Sequence, residues 1–124
     1  MALVDTFHKA ANTIFKVLKS LIVKANYVQI VDDGFDTDEE TLYPVDVIID
    51  SFSQRDVQFL SFSNLIQPTD VKGLVRGKQL ADQGMVLPST QDEIRVIDGD
   101  RKLTVIAHDT DPARAMYTFL LRDV

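Results

Sequence analysis

The stretch from Pro88 to Arg122 constrains the fold of this chain more than any other. Asp92-Glu93-Ile94-Arg95-Val96-Ile97 alternates polar and apolar residues until its last two positions, the pattern of a half-buried strand. Asp98-Gly99-Asp100 is a short turn signal, because glycine accepts positive φ without steric cost. Lys102 to Ala107 returns as a β-branched strand, and Asp109-Thr110-Asp111-Pro112 turns the chain into a third, Ala113 to Leu121. Local alternation with such short turns predicts an antiparallel meander.

The N-terminal region has a different period. Val4, Phe7, Ala11, Ile14, Leu18 and Leu21 recur at spacings of three and four, one stripe of an amphipathic helix. Asp5 near its start and Lys16, Lys19 and Lys24 toward its end complement the helix dipole. The stripe, represented by Phe7, Ile14 and Leu18, has two readings: it packs on the chain's own sheet, or it contacts a neighbouring subunit.

From Ile22 to Val31 the period falls to two, a first strand. Asp32, Asp33, Asp36, Asp38, Glu39 and Glu40 then place six acids in nine positions with no base. Such a run repels itself and predicts a solvated loop. Its spacing does not fit the EF-hand pattern for calcium. Leu42 to Phe52 reads as a second strand with Pro44 near its start and Asp46 and Asp50 facing outward. Gln54 to Val57 reads as a loop or frayed strand end. Ser63 to Asp70 reads as a turn or short helical bend. Val71 to Leu80 reads as a further strand, with Gly73 and Gly77 marking bulges or bends. Leu80 to Pro88 is a loop.

One N-terminal helix (1–21) and about six strands (22–124) predict a mainly β single domain spanning 1–124, closed as a small antiparallel barrel or sandwich. At 124 residues and 45% apolar content the chain is long enough to bury a core. A net charge of −6 argues against a general nucleic-acid-binding surface. The absence of cysteine excludes disulfides and thiolate metal sites. No apolar run approaches the roughly 20 residues of a membrane-spanning helix. Lysines interrupt every candidate signal-peptide core, so a protein made and used inside a cell is expected.

Catalytic chemistry finds little footing. His8 and His108 are far apart and outside any metal spacing. There is no G-x-S-x-G, no S-x-x-K and no glycine-rich phosphate loop. Asp98 and Asp100 flank a turn glycine and are explained by turn chemistry. No enzyme activity, cofactor or metal site is expected. Phe52, Phe59 and Phe62 are the candidates for an exposed aromatic patch, which a barrel binding a peptide or another protein outside any virus would carry.

An ordered set of short signals spans Tyr27 to Arg122. It comprises Val28 to Val31, Gly34 to Asp38, Val45 to Phe52, Leu65-Ile66 with Asp70, and Val71 to Val75. It closes with Pro88 and Asp92, Ile94 to Gly99, Leu103 to Ile106, Pro112, and Tyr117 to Arg122. This order resembles the head–tail connector proteins of tailed bacteriophages known as stoppers or head-completion proteins. Two positions depart from that group: Gln91 replaces the glycine of its usual Pro-x-x-Gly-Asp, and Glu39-Glu40 replace a second glycine in the acidic segment.

The resemblance implies a small barrel located in the virion neck and assembled in the bacterial host cytoplasm. It implies a ring of six or twelve copies beneath the portal, in contact with a portal or adaptor protein and a tail or tail-terminator protein. The ring would close the filled head, join it to the tail, and pass DNA without binding it specifically. The acidic run Asp32 to Glu40 is then expected at the channel or at an interface.

Overall fold

A computed structural model describes residues 2–32, 38–85, 87–111 and 113–123, with side chains except at 2–4, 31–32, 38 and 59. Helix α1 (Ala2–Val17) leads through a 3₁₀ turn (Lys19–Leu21) into strand β1 (Ile22–Asp32). Strand β2 (Asp38–Asp50), helix α2 (Gln54–Phe59), strand β3 (Val71–Arg76) and helix α3 (Gly77–Ala81) follow. Strands β4 (Glu93–Val96), β5 (Lys102–Thr110) and β6 (Met116–Asp123) complete the chain. The six strands form a closed antiparallel barrel in the order β1-β2-β3-β6-β5-β4.

Closure follows from the alternation. Ala25 and Tyr27 on β1, Val45 and Val47 on β2, and Val75 on β3 belong to one buried cluster. Ile94 on β4, Leu103 and Val105 on β5, and Tyr117, Phe119 and Leu121 on β6 complete its walls. Each such side chain, fully buried, contributes about 1.5–3 kcal/mol before entropy is charged against it. Rings fill the middle: Phe119 lies 5.6 Å from Tyr27 and stacks on Tyr117 at 5.9 Å. Leu80 and Met85, also in the cluster, plug the barrel from α3 and the turn after it.

The glycines do not act as expected. Gly73 sits in regular register with Phe119 and Ile49, and a Cβ there would lie 2.6 Å from Leu121 Cδ1. Close packing, not a bulge, requires the missing side chain. Gly77 begins α3 instead of bending a strand. The register shift lies in β5, between Val105 and Ala107, and beyond it His108 pairs with Phe119 and approaches its ring at 6.3 Å. His108 is thus half-buried within a strand, not at its end.

Three further boundaries differ from the sequence reading. Gln54 to Phe59 is helical because Ser53 and Asp56 form a reciprocal capping box. Burial opposes ionisation of Asp56, but the Lys72 ammonium at 2.7 Å and the Ser53 amide outweigh it and lower its pKa. Pro44 is interior to β2, opposite Asn26. It is tolerated because β2 pairs with β3 only from Val47 onward. Glutamines of the α3 region cover that open edge. Gln79 exchanges hydrogen bonds with the Asp46 backbone (2.8 and 3.1 Å), and Gln83 donates to the Pro44 carbonyl at 2.7 Å. Finally, the β4–β5 turn spans 97–100. Positive φ falls at Gly99 and Asp100, and Val96 N–H closes the turn on the Arg101 carbonyl at 2.7 Å.

Candidate interaction surfaces

Two bonded pairs tie the loops to the barrel, and both use residues of the ordered motif set. Asp70, in the loop before β3, has a fully buried side chain. Arg122 on β6 donates to both of its oxygens, Nε to Oδ1 at 2.8 Å and Nη2 to Oδ2 at 2.9 Å. Arg122 Nη2 also reaches the Leu65 carbonyl at 3.2 Å, and the Gln67 amide donates to Asp70 at 2.8 Å. The Arg122 guanidinium holds the Asp70 carboxyl below the usual carboxylate range. At the opposite seam the Tyr27 hydroxyl donates to buried Asp92 at 2.6 Å, and Asp92 also accepts the Ser89 amide at 2.8 Å. Burial, then this bond, pushes the Tyr27 phenol far up.

The Ser89–Asp92 turn also explains the missing glycine. Asp92 N–H donates to the Ser89 carbonyl at 3.2 Å, with Gln91 at φ +76°, a left-handed position that a turn of this kind usually gives to glycine. A non-glycine residue there costs on the order of 1 kcal/mol. Gln91→Gly is therefore expected to stabilise the fold by up to about 1 kcal/mol. A lowered urea midpoint in the variant would contradict this.

The acidic run lies differently from the expected loop. Asp33 and Asp36 are outside the described residues, as are the side chains of Asp32 and Asp38. Their backbones continue the ladder, since Asp32 pairs with Asp38, Val31 with Glu39 and Ile30 with Glu40. Glu39 and Glu40 are strand residues, because the hairpin ladder outlasts the rest of the barrel. Glu40 is also not a free charge. Arg95 on β4 grips it with two hydrogen bonds, 3.0 and 2.7 Å, while bonding Glu93 at 3.0 and 2.6 Å. The Arg95 bonds lower the Glu40 pKa. Of the two acids in the run with described side chains, Glu40 is paired and Glu39 faces solvent.

The helix stripe is rotated relative to the expected one. Ala11 and Phe15 are the buried residues of α1, each 3% exposed, whereas Ile14 is 40% exposed. Phe7 and Leu18 are half-buried. Phe15 lies under the Arg76 guanidinium at 4.7 Å, and Arg76 Nη1 donates to Asn12 at 3.3 Å. The helix thus rests on its own barrel through Ala11 and Phe15. Ile14, Val17 and Leu21 remain exposed on the outside.

Below the N-terminal half of α1 is a cleft of about 690 Å³, which sequence reasoning missed. Leu80, Met85 and Tyr117 supply its apolar part. Asp5, His8 and Asn12 enter from α1, and Arg114 from the β5–β6 turn. Asp111 organises that turn by accepting the amides of Ala113, Ala115 and Met116 at 2.8–3.1 Å. The signal was available: Asp5, His8 and Asn12 recur at spacings of three and four and so share the helical face that meets the cleft.

Among the described residues no serine, threonine or cysteine lines this cleft, and no group of three or more potential ligands can hold a metal. Phe62 is buried and meets half-buried Phe52 edge-on at 6.1 Å, so these two do not form the exposed patch considered above; the side chain of Phe59 is outside the described residues. No described helix is long and apolar enough to cross a membrane. Comparison with protein-family models, curated proteins and solved structures returns no match in any of the three.

Proposed function

We propose that this chain is a structural protein of the neck of a tailed bacteriophage, a non-catalytic ring component that closes the DNA-filled head and joins it to the tail. The observation that carries this reading is the ordered motif set. Its members Asp70, Arg122 and Asp92 are also residues on which the loops depend, Asp70 bonded to Arg122 and Asp92 to Tyr27. Its ring partners are further copies of itself, with a portal or adaptor protein on one side and a tail or tail-terminator protein on the other. Exposed Ile14, Val17 and Leu21 support association, since an apolar helix face open to water is stabilised by a neighbour.

In this reading the acids from Asp32 to Glu40, repeated around a ring, repel the DNA backbone and keep it from sticking. Neutralising Asp36, Asp38 and Glu39, while leaving Glu40 to hold Arg95, is expected to preserve folding. It should alter DNA retention or ejection most at low salt, where the Debye length exceeds about 10 Å. Parent-like ejection at low salt would remove this electrostatic role only. The assignment itself is tested by deleting the gene from the phage that carries it. Filled heads and tails are expected to accumulate unjoined, with DNA leaking from the heads. Infectious, tailed particles without this protein would overturn it.

A further inference from the structure

We propose that α1 is a hinged arm, opening from the barrel about the 3₁₀ turn Lys19–Leu21 while the barrel stays folded. Four independent features lead there. The buried cluster that closes the barrel contains no residue of α1. The helix is seated by Ala11 and Phe15, with Arg76 and Asn12 as the polar latch. The turn that joins it to β1 has no side-chain cap and no buried residue, so little fixes its geometry. Finally, the N-terminal half of the helix does not fill the space beneath it, which is the 690 Å³ cleft.

The latch is imperfect. Arg76 Nε is buried without a hydrogen-bond partner, and its approach to Asp46 is long, at 3.9 Å. Charge supplies the remaining attraction. Residues 1–21 carry three lysines against Asp5, a net +2, whereas 22–124 carry −8, which together give the −6 of the chain. Such an attraction between an arm and a body weakens with salt. The open arm would present Ala11 and Phe15 beside Ile14 and Val17, a widened apolar face on one helix. Opening also uncovers the Leu80, Met85 and Tyr117 wall of the cleft.

Hydrogen exchange of the full chain, resolved by mass spectrometry, tests this without reference to assembly. In the parent, α1 amides are expected to exchange roughly a hundredfold faster than those of β3 and β6, because local opening needs only the arm's few contacts to break. Arg76→Ala should speed α1 exchange by roughly tenfold and leave β3 and β6 nearly unchanged, and added salt should act in the same direction. Equal rates for α1 and the strands in the parent, or equal acceleration of both by Arg76→Ala, would overturn the proposal. A second variant separates hinging from fraying. The chain has no cysteine, so Asn12→Cys with Arg76→Cys allows a short bifunctional thiol reagent, cleavable by reduction, to span the gap that the arginine side chain now bridges. Once formed, the crosslink should slow α1 exchange toward the strand rate, and reduction should restore it. Exchange of α1 unaffected by the completed crosslink would also overturn the hinge.

Discussion

Gly77→Ala is expected to destabilise the protein by about 3 kcal/mol or more, at the upper end of overpacking effects. A Cβ at position 77 would lie 1.8 Å from the carbonyl oxygen of Arg114 and 3.0 Å from its carbon. Both are backbone atoms, so no rotamer relieves the contact. The β5–β6 turn would have to move, breaking the bond from Gly77 N–H to the Ala115 carbonyl at 2.9 Å and disturbing the amides that Asp111 gathers. Gly84→Ala is the control. Its φ of +84° carries strain, but a Cβ there meets nothing within 4 Å, so a cost of about 1 kcal/mol is expected. Urea melts of the two variants should therefore separate clearly. Equal midpoints would mean that the turn yields and that the close approach is not a constraint.

Arg122→Ala is expected to cost about 1–3 kcal/mol, because it removes both guanidinium hydrogen bonds from the buried Asp70 carboxylate. Arg122→Lys should recover only part of this, since an ammonium cannot grip both carboxylate oxygens in the same plane. The effect depends on pH with a definite sign. Asp70 has a folded pKa below its unfolded value, so its contribution is complete above about pH 4 and fades as pH falls through the folded value. In the variant the stranded carboxyl favours protonation, and acid relieves its burial. The stability gap between parent and variant should thus be widest near neutrality and narrow below about pH 3. A gap independent of pH would show that the loss is packing of the Arg122 stem and not the pair.

The C-terminal meander was readable because its strands alternate and its turns are short, so local pattern and final register agree. Helix α2 was not, although its signature was present. A Ser53-x-x-Asp56 box in so short a segment leaves no room for a 3.6-residue period to appear. The β3–α3 boundary was hidden because α3 is only five residues long and starts from Arg76 without a capping side chain that would mark a helix. In α1 the difficulty was surplus. Ala11 of the expected stripe is buried, but Phe15 takes the place beside it that spacing gave to Ile14, and spacing alone does not say which of the two finds Arg76. The pairs that hold the candidate surfaces, Asp70 with Arg122 and Tyr27 with Asp92, join residues far apart in sequence. Their partners exist only once the barrel is closed, so no local rule marks them.

Closure also sets the order of events in folding. Four of the six ladders join strands adjacent in the chain; the exceptions are β3 with β6, and the seam between Ala25–Val28 of β1 and Glu93–Val96 of β4, strands separated by β2 and β3. That seam carries a large loop-closure entropy, and topologies rich in such pairings fold slowly, on the scale of milliseconds to seconds. The Tyr27–Asp92 bond lies beside it and forms only when the two strands meet. The barrel is therefore expected to fold as two halves, an N-terminal hairpin and a C-terminal meander, that come together at a late step. Until then Tyr27 and Ile94 stand open to water on facing edges. A newly made chain is most prone to stick to its neighbours in that interval, before any native surface exists.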